Sequence, residues 1–141
     1  MKHILTVIIL ISLFQSEPEI IGRWKIQSFE AIDKLKQSPA YIYGDAEARK
    51  QLDQQFNLML ENGEYYFKND TLFYSDIERG VLVKRRAIWT KTDDILTIKE
   101  IDRAFERKAQ IQFVSKDSLA ISLIIDGEVR DSNLIFSKVQ E

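Results

Sequence analysis

Residues 107–139 read RKAQIQFVSKDSLAISLIIDGEVRDSNLIFSKV, and this stretch decides the fold. It contains three segments in which apolar and polar residues alternate: Arg107–Val114, Leu119–Ile125 and Val129–Val139. Lys116-Asp117 separates the first two segments, and Asp126-Gly127, a strong indicator of a two-residue hairpin, separates the last two. Strands joined by such short turns pair antiparallel with their neighbours in the chain. The stretch therefore predicts a β-meander.

The same alternation recurs in the earlier part of the chain. Five further strands are predicted, at Gly22–Phe29, Tyr65–Phe67, Thr71–Ser75, Val81–Lys91 and Ile95–Ile101. Polar turns at Asn69-Asp70 and Asp93-Asp94 join consecutive members of this set. A meander of eight strands leaves two unpaired edges, and closure into a barrel removes both of them. The sequence therefore predicts an all-β, up-and-down antiparallel barrel of eight strands.

One segment between the first and second strands has a helical pattern. Asp45 is a suitable N-cap, and Asn62-Gly63 is a suitable end. The apolar residues between them recur on one helical face, at Leu52, Phe56, Met59 and Leu60. We therefore expect one helix over Asp45–Leu60, inserted after the first strand. The stretch before it contains Pro39, which argues against an uninterrupted helix or a central strand there.

The composition excludes several kinds of chemistry. The chain has 141 residues and a formal net charge of −2, which is too balanced to indicate nucleic acid as a partner. There is no cysteine, so disulfides and thiolate chemistry are excluded. The only histidine is His3, which lies in the predicted leader described next, so histidine-dependent catalysis and histidine-ligated zinc are excluded from the mature chain. We expect no metal, no cofactor and no enzymatic activity; an enzyme using only carboxylates, lysine, arginine and tyrosine is the least favoured hypothesis.

The N-terminal segment has the pattern of a secretory leader. Lys2 and His3 precede an apolar run from Ile4 to Phe14, which is shorter than the roughly 20 residues that a membrane-spanning helix needs. Small Ser16 suits the residue before a cleavage site, although Phe14 is bulky where a small residue is preferred. We therefore expect residues 1–16 to be a signal peptide and residues 17–141 to form the exported domain, in the periplasm or outside the cell, with no membrane span after cleavage.

Short motifs give the chain a resemblance to a known family. Gly22-Arg23-Trp24 opens the first strand, residues 66–72 read YFKNDTL, and residues 92–98 read TDDILTI. These motifs resemble the lipocalin-like domains of exported bacterial proteins, over about Ile20–Val139. The resemblance implies a lipocalin-like barrel that binds a small molecule. It also implies that Trp24 fills one end of the barrel and that Lys138 is the nearest match to the cation, usually an arginine, that packs over this tryptophan in the family.

Strand alternation predicts which side chains line the barrel interior. The expected lining residues are Ile26, Phe67, Ile88, Ile111, Phe113, Leu119, Ile121 and Leu123, with Ser28 and Thr90 as polar candidates on the same face. Two interpretations stay open at this point. The barrel holds a small apolar molecule, which would make the protein an exported binding protein. Alternatively, these side chains form a solid core, which would make it a non-enzymatic protein-interaction module of the cell envelope.

Two charged clusters are expected to be solvated. Lys84-Arg85-Arg86 is the densest basic run, and an inward arginine there would need a carboxylate partner or an anionic ligand. Residues 100–107 carry Glu100, Asp102, Arg103, Glu106 and Arg107, and their mixed signs predict an exposed, salt-bridged bend.

Overall fold

The computed structural model describes residues 19–140, and the predicted signal peptide lies outside the described residues. Eight strands form a closed antiparallel barrel in chain order. They are β1 (Gly22–Phe29), β2 (Glu64–Phe67), β3 (Thr71–Glu78), β4 (Val81–Thr92), β5 (Ile95–Glu100), β6 (Glu106–Ser115), β7 (Ser118–Ile125) and β8 (Glu128–Lys138). The predicted fold class is confirmed, and every predicted strand is present with its ends moved by at most a few residues.

The two ends of the barrel differ in what they contain. β1 pairs with β8 to close the sheet, and Trp24 lies opposite Lys138 while Phe29 lies opposite Leu134. The start of β1 and the end of β8 therefore lie at one end, which we call the packed end. The end of β1 lies at the other, which we call the helix end because the helices follow Phe29.

Three helices connect β1 to β2: α1 (Glu30–Lys36), α2 (Pro39–Ile42) and α3 (Ala46–Asn62). The predicted helix is present as α3, and the Asp45 side chain accepts a hydrogen bond of 3.1 Å from the Glu47 amide at its start. The two shorter helices were not expected. Pro39 occupies the first turn of α2, where its missing N–H costs nothing, so the proline separates two helices instead of preventing them.

Close contacts hold the helices on the helix end. The backbone N–H of Ile26 donates to the carbonyl of Gly63 at 3.1 Å. A Cβ atom at Gly63 would overlap the Ile26 side chain and the Met59 carbonyl, so only glycine permits this approach of α3 to β1. On the other side, the Glu30 carboxylate of α1 accepts hydrogen bonds from the backbone and side-chain nitrogens of Asn133 at 3.2 and 3.3 Å.

The solid part of the core lies toward the packed end. Its largest fully buried side chains are Trp24, Phe67, Phe136, Leu72, Leu96 and Leu119. Burying each such side chain contributes roughly 1.5–3 kcal/mol relative to exposure. At the helix end the side chains leave part of the interior unfilled, and this difference creates the candidate site.

Candidate ligand-binding cavity

A cavity of about 440 Å³ occupies the helix end of the barrel. Binding pockets for small molecules typically measure ~300–1,000 Å³. Its apolar wall comes from strands across the barrel and from α3: Ile26, Ile98, Ala109, Ile121, Leu134 and Met59. Leu123 and Ile125 also line it and are 41% and 45% exposed, so the cavity reaches the surface beside the end of β7. The barrel is thus solid in one half and hollow in the other.

The predicted lining residues divide between these two halves. Ile26 and Ile121 line the cavity. Phe67 and Ile111 are buried in the solid core, and Phe113 packs against that core with its ring centroid 6.1 Å from that of Trp24.

The two remaining β7 residues of the predicted set follow the same division. Leu119 is fully buried in the solid core. Leu123 lines the cavity near its mouth.

The prediction for Ile88 is wrong. Ile88 is 51% exposed on the outside of the barrel, whereas its neighbour Ala87 is fully buried. Trp89 also points inward and meets the Phe67 ring edge-on at 5.4 Å. The alternation of β4 was therefore assigned to the wrong phase, because an isoleucine is a stronger apolar residue than the alanine that occupies the interior.

The two polar candidates for the inner face are also misplaced. The register of β1 against β8 shifts between Ile26 and Ser28, and this irregularity turns Phe29 into the cavity in place of Ser28. Thr90 is exposed, because it shares the outer face of β4 with Ile88.

Charged side chains inside the helix end form ion pairs that bridge strands. Arg85 is the inward member of the basic run; its Nε lies 2.9 Å from Asp76 Oδ2, and its Nη2 lies 2.9 Å from Glu78 Oε2. The side chain of Arg85 is only 18% exposed, so the expectation of a solvated run is wrong for this residue. The carboxylate partner that an inward arginine requires comes from the neighbouring strand β3.

A second ion pair involves a buried carboxylate. The Glu100 side chain is only 2% exposed; it accepts hydrogen bonds from the Tyr74 hydroxyl and from Arg103. Arg103 Nη2 also lies 3.7 Å from Asp76. Its hydrogen bond to Glu100 raises the pKa of the Arg103 guanidinium. The prediction of an exposed bend is therefore wrong for Glu100. This residue faces inward, as Leu96 and Ile98 of β5 do.

Arg107 also points inward, and its environment is different. It lines the cavity, and its guanidinium carbon lies 4.8 Å from the centroid of the Tyr74 ring. Its Nη2 donates a long hydrogen bond of 3.4 Å to the Tyr65 hydroxyl, and its Nε is buried without an acceptor. Burial raises the pKa of Tyr65, and the nearby Arg107 charge opposes this effect.

Sequence reasoning missed this interior position of Arg107, although the pattern contained an indication. Arg107 has the same parity as Ala109, Ile111 and Phe113, which all face the interior of β6. The prediction treated residues 100–107 as an exposed bend because they carry many charges, and it did not apply the strand alternation to Arg107. Asp102 of this segment does form an exposed ion pair, at 3.0 Å from Arg86 on β4, and the hydrogen bond from Arg86 lowers the pKa of Asp102.

The packed end has a different role from the cavity. Trp24 is fully buried, and its Nε1 donates a hydrogen bond of 2.7 Å to the carbonyl of Ile20. Lys138 Nζ lies 5.5 Å from the centroid of the Trp24 ring, within the range of a cation–π contact. Gly22 has a φ of 134°, which side-chain-bearing residues rarely adopt. A Cβ atom at this position would lie only 3.2 Å from Lys138 Cε, so glycine leaves room for the Lys138 side chain.

No family model and no curated protein matches the sequence. The solved structures of similar fold include the following two, each 12% identical in sequence. One is a lipocalin-like protein from Bacteroides uniformis ATCC 8492, with a TM-score of 0.49 over 85% of this chain and 98% of that chain. The other is an uncharacterized protein from Bacteroides eggerthii DSM 20697, with a TM-score of 0.47 over 86% of this chain and 100% of that chain.

The topology is compatible with the resemblance seen in the sequence. A closed eight-stranded meander with helices after its first strand is consistent with the lipocalin-like family that the sequence motifs resemble. Within residues 19–140, no helix is long and apolar enough to cross a membrane, and no group of three metal-ligating side chains is assembled.

Proposed function

We propose that this protein is a non-enzymatic binding protein that holds a small, largely apolar molecule inside its barrel. The observation that carries the proposal is the cavity of about 440 Å³ at the helix end, whose wall is mostly apolar. Apolar surface that a ligand can cover favours binding by roughly 25 cal/mol per Å² buried. We further propose that the protein acts outside the cytoplasm, after removal of residues 1–16.

The alternative hypothesis, a solid barrel that acts through its outer surface, predicts an interior filled along its whole length. The packed end has this character, with Trp24, Phe67 and Phe136 fully buried. The helix end does not, because Ala109 and the stems of charged residues occupy positions where large apolar side chains would close the space. The cavity therefore favours ligand binding over the alternative.

Binding of a neutral apolar probe tests the proposal. N-phenyl-1-naphthylamine fluoresces strongly in apolar surroundings, and we expect it to bind the purified protein with a stoichiometry of one. Ala109→Leu fills part of the cavity, so we expect it to weaken probe binding. Ala120→Leu is the matched control, because Ala120 is a buried alanine on the adjacent strand β7 that does not line the cavity.

Two results would contradict the proposed function. One is the absence of saturable probe binding to the folded protein. The other is equal binding by the two leucine variants, which would place the probe outside the barrel. Native mass spectrometry of protein purified from its source adds an independent test, since a ligand held in the cavity should add mass to the intact protein.

A further inference from the structure

The arginines at or near the cavity wall differ in their partners. Arg85 is matched by Asp76 and Glu78, with two contacts of 2.9 Å. Arg103 is matched by Glu100, with Asp76 at 3.7 Å. Among residues 19–140, no carboxylate lies within 4.0 Å of Arg107. Arg107 is therefore an inward cation that lacks a carboxylate partner in the described chain.

The surroundings of Arg107 make a missing counter-charge costly. Its Nε is buried without an acceptor, and its other described contacts are the Tyr74 ring and a 3.4 Å hydrogen bond to Tyr65. A neutral phenol and a ring face compensate a partly desolvated charge only weakly. Asp76 also lines the cavity, but its carboxylate is held by Arg85 and Arg103.

The Tyr65 hydroxyl adds a donor beside the guanidinium. Burial raises the pKa of Tyr65, so the phenol keeps its proton at neutral pH. Its oxygen accepts from Arg107, and no acceptor for its own proton is found in the described part of the chain. A charged donor and a neutral donor thus stand together at the cavity wall, which is the arrangement that binds an oxyanion. Arg130, which also lines the cavity, adds positive charge.

We infer that the ligand is an amphiphile with a single anionic head group, held by Arg107 and Tyr65, and an apolar body held by Ile98, Ala109 and Ile121. The inference rests on the proposed function. A volume of about 440 Å³ accommodates roughly fifteen non-hydrogen atoms at about 30 Å³ for each water-sized group. Carboxylates and phosphate monoesters share the required head-group chemistry.

Competition against N-phenyl-1-naphthylamine at pH 7.5 tests the inference, with decanoate, decyl phosphate and 1-decanol as ligands of matched chain length. We expect an anionic ligand to bind at least about tenfold more tightly than 1-decanol, because a hydrogen bond to a charged group contributes about 1.5–3 kcal/mol. The ratio of decanoate to decyl phosphate affinity identifies the preferred head group, and preference for either supports the inference.

Variants locate the head group. Arg107→Met keeps a long apolar stem and removes the charge, so we expect the anionic ligands to lose their advantage while 1-decanol binds nearly as before. Arg86→Met is the matched control, because Arg86 lies on the outside of the barrel in an exposed ion pair with Asp102. It should leave all affinities unchanged. Far-UV circular dichroism checks that both variants keep the barrel.

The outcomes separate this inference from the proposed function. If the probe and 1-decanol bind but the anions bind no more tightly, the inference is wrong and the proposed function stands. The same conclusion follows if Arg107→Met retains the full preference for anions. If neither the probe nor any of the three ligands binds, the proposed function and the inference are both wrong.

Discussion

Replacing Trp24 by alanine should remove a large part of the stability of the barrel. The indole is fully buried at the packed end, where it packs near Phe113 and donates a hydrogen bond of 2.7 Å to Ile20. Neighbouring side chains belong to strands that are paired on both sides, so they cannot collapse far into the space that the indole leaves. The substitution therefore creates a cavity in a closed sheet.

The magnitude follows from the buried area. A tryptophan buries about 150–250 Å², and at about 25 cal/mol per Å² this area corresponds to roughly 4–6 kcal/mol. That figure is an upper bound, because the unfolded chain already buries some of the same surface. Measured substitutions of buried tryptophan and phenylalanine by alanine cost about 3–5 kcal/mol. We expect a loss of about 4 kcal/mol for Trp24→Ala.

Lys138→Ala serves as the comparison. Lys138 Nζ lies 5.5 Å from the Trp24 ring at the partly solvated edge of the packed end, so its loss should cost only about 0.5–1 kcal/mol. Urea unfolding followed by circular dichroism measures both variants. The chain has two tryptophans, so in Trp24→Ala the fluorescence of Trp89 provides a second probe. A loss below about 1 kcal/mol for Trp24→Ala would refute the reasoning, because a void of this size costs more than that.

Three further predictions concern the cavity, the buried phenol and export. Arg107→Met should raise the free energy of unfolding of the ligand-free protein by about 1–3 kcal/mol, because it removes a buried donor without an acceptor. A lower melting temperature for this variant would contradict the absence of an acceptor for Arg107 Nε. The pKa of Tyr65 is raised above its ordinary value of 10.0, so the folded state binds this proton more tightly, and the contribution of Tyr65 to stability should be constant below pH 10.0 and be lost as the pH rises above it. Tyr65→Phe should reduce that alkaline loss in urea unfolding, and equal alkaline losses in the variant and the wild type would show that Tyr65 does not contribute. N-terminal sequencing of the protein from its source should begin near Glu17, whereas an intact Met1 in a cytosolic fraction would rule out export.

Local patterns were sufficient to predict the eight strands and the longest helix. Gly22–Phe29 was predicted as the first strand with the bounds that the structure shows. The turn at Asp126-Gly127 was predicted as well, and both residues have positive φ angles, 55° and 79°, as a tight hairpin requires. Such features depend on alternation and on turn chemistry over a few residues, which the sequence displays directly.

The placement of the candidate site depended on contacts between distant strands. In β4, Ala87 faces the interior and Ile88 faces the solvent. Pairing with β3 and β5 and closure of the sheet determine which of the two faces inward. The irregularity in β1 that turns Phe29 inward was not visible as a pattern.

By itself, the sequence therefore determined the strand order, the turns, the inserted helix and the absence of cysteine. Only the tertiary structure decided which charges lie inside. An arginine is stable in a barrel interior when a carboxylate from another strand meets it, as Asp76 meets Arg85 at 2.9 Å. Arg107 points inward without such a partner, and only the closed sheet places it beside Tyr65 and the cavity. The physical reason is that alternation determines which residues share a face of the sheet, whereas side chains from other strands determine whether a charged residue on the inner face is stable there.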